Sequence, residues 1–92
     1  MTGEGRETRE IRLKRLKIRA WRRGIKEMDL LLGGFADREM AALDEDGLDA
    51  FEALMEEADQ DLLRWGTGLE AAPEVHRAML LRVAPEARLT GG

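Results

Sequence analysis

The side chains able to do chemistry are few in kind, and their spacing suits other work. The chain has 92 residues, no Cys and a single His, His76. Thiolate nucleophiles, disulfides and Cys-based metal sites are therefore excluded, and one His cannot build a His-rich metal cluster. Carboxylate pairs such as Asp44/Asp46 and Glu56/Glu57 have the types needed for acid–base work or cation binding. In a chain with 19 acidic residues they read as solvated surface or helix caps. The ligand spacing of a calcium-binding loop is not met around residues 44–49. There is no Gly-rich phosphate loop, no zinc-binding His-Glu-x-x-His and no strand-borne nucleophile. Signals for an enzyme are therefore weak, and the residues offer no recognisable metal cluster or cofactor-binding motif.

One segment differs in kind: Trp21-Arg22-Arg23-Gly24-Ile25-Lys26-Glu27, followed by Met28-Asp29-Leu30-Leu31-Leu32. Arg23-Gly24-x-x-Glu27 falls between two helical stretches, where Gly permits a backbone turn and the close approach of another surface. Glu27 then lies in the first turn of the next helix, where the helix dipole favours a carboxylate. On spacing alone the segment also fits a plain helix end followed by an ordinary first-turn Glu.

The elements that must position this segment are all helical. Leu, Ala, Glu and Arg dominate, and no stretch alternates apolar with polar residues as a half-buried strand does. The spacing predicts a first helix over 7–22, with Leu13, Leu16 and Ala20 inward and a second apolar line at Ile11 and Ile18. A second helix over 25–42 buries Met28, Leu31, Leu32, Phe35, Ala42 and Leu43, and Gly33-Gly34 predicts a bend or close helix approach. Residues 44–47 form a turn that supplies N-caps for a third helix near 46–58, with Leu48, Phe51, Leu54 and Met55 inward. Asp59 is expected to cap a short fourth helix carrying Leu62, Leu63 and Trp65. Pro73 opens a fifth with Val75, Met79 and Val83 along it, ended by Ala84-Pro85. The fold class is all-α: one domain over 1–92, a compact five-helix bundle, ordered from about residue 7 to 84 with fraying ends.

Charge is divided unevenly. Residues 1–26 hold ten basic and three acidic side chains, whereas the rest of the chain carries a net −11. Arg12, Arg15, Arg19 and Arg22 recur at helical spacing and draw a basic stripe. Two readings follow: attraction between the two parts of the molecule, or an anionic partner such as nucleic acid, as in an antitoxin-like regulator. No apolar run approaches the ~20 residues that span a bilayer, and the N-terminal residues lack the apolar h-region expected of a secretory signal. A soluble intracellular protein without membrane insertion is expected.

The segment at 21–32 resembles the signature of the succinate dehydrogenase assembly factors, the small flavinylation factors of bacteria and mitochondria. Glu27-x-Asp29-Leu30-Leu31-Leu32, Phe35, Phe51-x-x-Leu54 and Asp59-x-Asp61-Leu62-x-x-Trp65 extend the likeness over about residues 10–66. The resemblance implies a cytoplasmic bacterial factor, a monomer, that binds the flavoprotein subunit of succinate dehydrogenase and also that of fumarate reductase. It would promote covalent attachment of FAD, a cofactor belonging to that client. Arg23, Gly24 and Glu27 carry over as the contact surface, with Arg22, Asp29 and Trp65 as supports.

Overall fold

Why α1 begins where it does is set by Thr8, whose hydroxyl accepts the Ile11 N–H at 3.1 Å and satisfies one free donor of the first turn. In the computed structural model of the chain, which describes residues 7–85, α1 runs Arg9–Ala20. It is followed by α2 (Lys26–Arg38), a 3-10 turn (Met40–Ala42), α3 (Glu45–Met55), α4 (Asp59–Gly66) and α5 (Glu74–Val83). Among the described residues these five helices and the 3-10 turn form the whole regular structure, and no strand occurs. The expected fraying at the chain's ends falls outside the described residues.

One core joins the helices. Leu16 and Ala20 of α1 meet Met28, Leu32 and Phe35 of α2, Leu48, Phe51 and Leu54 of α3, Leu62 and Trp65 of α4, and Met79 and Val83 of α5. Phe35 and Phe51 pack with ring centroids 5.2 Å apart. The close approach expected at Gly33-Gly34 is made by Trp21. A Cβ on Gly33 would stand 2.3 Å from the Trp21 ring, so only Gly lets the indole lie against α2.

Several expectations shift. α2 stops at Arg38, and the 3-10 turn carries Met40 inward while Ala42 lies exposed. Ile11 and Ile18 are each 54% exposed, because α1 has core on only one narrow face. Val75 is 78% exposed, and its neighbours His76 and Leu80 are buried instead. Asp44 caps α3, accepting the Gly47 N–H at 2.7 Å. Asp59 does not cap α4: Ala58 holds the N-cap position, and the Asp59 carboxylate turns to Arg23.

Candidate functional site

The turn from Trp21 to Ile25 joins α1 to α2 and is braced on both sides. Gly24 has φ +94°, a left-handed conformation that costs an L side chain about 1–2 kcal/mol. No atom lies within 4 Å of the place a Cβ would occupy, so the glycine is required by its backbone and not by crowding. Asp29, one turn into α2, accepts the Arg23 N–H at 2.7 Å and fixes the turn's entry. On the other side the Trp21 indole N–H donates to Asp37 at 3.3 Å.

Arg23 points inward. Its Nε donates to Asp59 at 2.7 Å, one Nη to the Met55 carbonyl and the other to the Glu57 carbonyl at 2.7 Å. The side chain is 11% exposed and its Asp59 partner 17%. The guanidinium thus caps the carbonyl end of α3 and ties the α3–α4 connection to the turn. That connection continues the brace, since Glu57 pairs with His76 of α5 at 2.7 Å. His76 packs on Trp65 at 5.9 Å between ring centroids. Trp65 is 8% exposed and belongs to the core.

The predicted site residues therefore divide. Arg23 and Asp29, named from the sequence as contact or support, hold the turn from within, whereas Trp65 lies in the core against His76. Gly24, Glu27 and Arg22 face outward. Glu27 stands on the first turn of α2, whose N-cap residue Ile25 offers no side-chain cap. Its carboxylate makes no ion pair among the described residues and sits at a groove of about 400 Å³ between α2, α4 and the end of α5. Arg22 lines a separate, more open depression with Ile18, Arg19 and Ala58. The supporting pair Glu57–His76 is missed by sequence reasoning. The only available signal was a buried-side spacing of His76 with Met79 and Leu80.

The basic stripe on α1 meets α3. Arg12 reaches Asp49 at 2.7 Å and Glu52 at 2.9 Å, Arg15 reaches Glu52 at 3.0 Å, and Arg19 reaches Glu56 at 3.2 Å. Hydrogen bonds from Arg15 and then Arg12 hold the Glu52 carboxyl below the usual carboxylate range. Arg15 is shifted upward, first by Glu7 and then by Glu52. This is the intramolecular attraction that the charge asymmetry implies. No group of three or more metal-binding side chains occurs among the described residues. None of their helices is long and apolar enough to cross a membrane.

A family model described as "Flavinator of succinate dehydrogenase" matches residues 14–84, which include the braced turn and all five helices' core residues. "Succinate dehydrogenase assembly factor 2, mitochondrial" of Schizosaccharomyces japonicus is 39% identical over 69 residues, covering 75% of this chain and 48% of that protein. The protein of the same name in Schizosaccharomyces pombe is 41% identical over 68 residues, covering 74% and 49%. That of Meyerozyma guilliermondii is 41% identical over 61 residues, covering 66% and 45%. The chain thus spans about half the length of the curated relatives it matches, and their names place them in mitochondria. No solved structure matches it. With most of its length matched, the chain belongs to the family of flavinators of succinate dehydrogenase.

Proposed function

We propose that the chain binds the flavoprotein subunit of succinate dehydrogenase and promotes covalent attachment of FAD to it, without a cofactor or catalytic residue of its own. The observation that carries this reading is the outward pair Gly24 and Glu27, held on a turn braced by Arg23, Asp29 and Trp21 within the region the family match covers. A rigid turn with bare backbone at Gly24 lets a client surface approach closely, and Glu27 offers an exposed carboxylate to a client donor. A helper of this kind acts through binding energy. It favours the client conformation in which the acceptor side chain faces the flavin.

Arg22 adds an exposed cation at the same turn. The flavoprotein of fumarate reductase is a second client of the same chemistry, and the factor acts as a monomer. The bacterial cytoplasm expected for this chain differs from the compartment in the relatives' names. The role needs only that factor and unassembled flavoprotein share an aqueous compartment. A nucleic-acid role loses its footing, because Arg12, Arg15 and Arg19 already face carboxylates of α3. The test is co-purification with each flavoprotein, followed by in-gel fluorescence of covalent flavin in cells with and without the factor. Equal covalent flavin in both would sink the reading.

A further inference from the structure

The groove beside Glu27 has a pattern that the turn alone does not use. Glu27, Leu31, Gly34 and Arg38 recur at helical spacing and share one face of α2. The two charged positions are about 16 Å apart along the axis, three turns of helix. Between them the wall is apolar: Met28 and Leu31 from α2, Leu63 from α4, Val83 and Pro85 from the end of α5. The Arg38 side chain lies close to Gly34, where a Cβ would stand 3.0 Å from the guanidinium. Among the described residues neither Glu27 nor Arg38 forms an ion pair, although nearby Lys17, Arg23 and Arg82 all do. The groove is thus acidic at one end, basic at the other and apolar between.

We propose that this groove is a second contact of the flavoprotein client. Its occupant is a client segment that brings a basic side chain to Glu27, an aliphatic or aromatic side chain against Leu31 and Leu63, and an acidic side chain to Arg38. The inference rests on the client reading above. Two features select this occupant. Glu27 stands three residues after Gly24 and lines the groove, so a surface seated on Gly24 continues into it. Opposite charges three turns apart complement a polypeptide carrying both signs, whereas a lipid or a simple anion would leave one end unpaired. An apolar centre with charged ends also has the anatomy of a protein–protein contact.

The test places a photo-crosslinking amino acid at Lys26, on the turn, or at Thr67, an exposed residue of the groove. Each full-length variant is irradiated with the purified flavoprotein subunit lacking covalent flavin. Client capture from both positions is expected, with the Thr67 product mapping to a client segment that has basic and acidic residues flanking an apolar one. Arg38→Glu should weaken client binding about tenfold with an unchanged melting temperature. Capture from Lys26 but not Thr67, with Arg38→Glu binding as wild type, overturns the groove proposal and leaves the client reading standing. A dimer in sedimentation that Arg38→Glu dissolves assigns the groove to a second copy and overturns it as well. Capture from neither position removes the client reading itself.

Discussion

The seam between α1 and α3 and the turn between α1 and α2 are both rich in charge, yet they use it in opposite ways. At the seam, Arg12, Arg15 and Arg19 each have carboxylate partners from α3, and Glu52 faces all three guanidinium groups. At the turn the one deeply engaged cation, Arg23, is directed inward to Asp59 and two carbonyls. What remains outside is Gly24 with its left-handed backbone and Glu27, which makes no ion pair among the described residues. A paired surface charge is accounted for by the fold. A left-handed glycine and a carboxylate with no ion pair among the described residues, close together in the chain, are not, and they mark what the molecule holds ready for another surface.

The widest separation of the two regions is expected from Gly24→Arg. The open space around Gly24 lets the side chain point to solvent, so the fold should lose only the about 1–2 kcal/mol of the left-handed conformation. Close approach of the client is blocked, and covalent flavin should fall to the level of a factor-deficient cell. Normal flavin incorporation by this variant would remove Gly24 from the contact. Circular dichroism melting of the purified protein supplies the folding half of the measurement.

Arg23→Ala should act the other way round. It leaves the Asp59 carboxylate and the carbonyls of Met55 and Glu57 without their donor, a loss of about 3 kcal/mol for a largely buried charged group. Melting should drop by more than 10 °C, since about 1 kcal/mol moves a domain this small by roughly 4–8 °C. Flavinylation should fail at high growth temperature and recover at low temperature, where the bundle is folded. If it stays lost in the folded variant, Arg23 touches the client directly and the inward assignment is wrong.

Much of this could be read in the sequence, and the exceptions have physical causes. Helix number and core positions such as Leu16, Phe35, Phe51 and Leu62 follow from apolar spacing, which is a local property. The Arg23-Gly24-x-x-Glu27 signal was visible as a pattern, but the direction each side chain faces was not. Arg23 turns inward because the carbonyl end of α3 lies beside it, a contact between residues more than thirty positions apart. Asp59 looked like a cap because capping is local, whereas its actual partner is distant. Val75 looked apolar enough for the core, yet the rotation of α5 about its axis places His76 inside against Trp65 and Glu57. Periodicity gives a face, and only the neighbouring helices decide which edge of that face is covered.

Glu27 sharpens the comparison at intermediate size. As a first-turn residue it contributes about 0.3–1 kcal/mol through the helix dipole, so Glu27→Ala should melt within a few degrees of wild type. As a contact carboxylate, truncation should weaken client binding by about 2 kcal/mol or more. Glu27→Gln should lie between them where hydrogen bonding rather than charge matters. Titration of each variant against the flavoprotein, beside the fraction of covalent flavin, decides the point. Wild-type affinity in Glu27→Ala would leave the exposed carboxylate without a role.

The smallest effect belongs to the seam, and it concerns stability alone. Substituting Gln for both Arg12 and Arg15 removes the donors of Glu52, a partly exposed cluster in which each pair contributes up to about 1 kcal/mol. Melting should fall by several degrees at low salt and by less at high salt, where screening already weakens the pairs. The pH dependence follows from Glu52. Its carboxyl is shifted downward in the folded chain by Arg15 and Arg12, so the folded state binds a proton less readily than the unfolded one. The stability it lends is complete above the ordinary carboxylate range and is lost as the pH falls through that range to the lowered folded value. In the double variant this acid-sensitive part should shrink, while client binding at neutral pH stays within about twofold of wild type. Loss of client binding in the folded double variant would move the contact surface from the turn onto α1, and the contrast between the two regions would collapse.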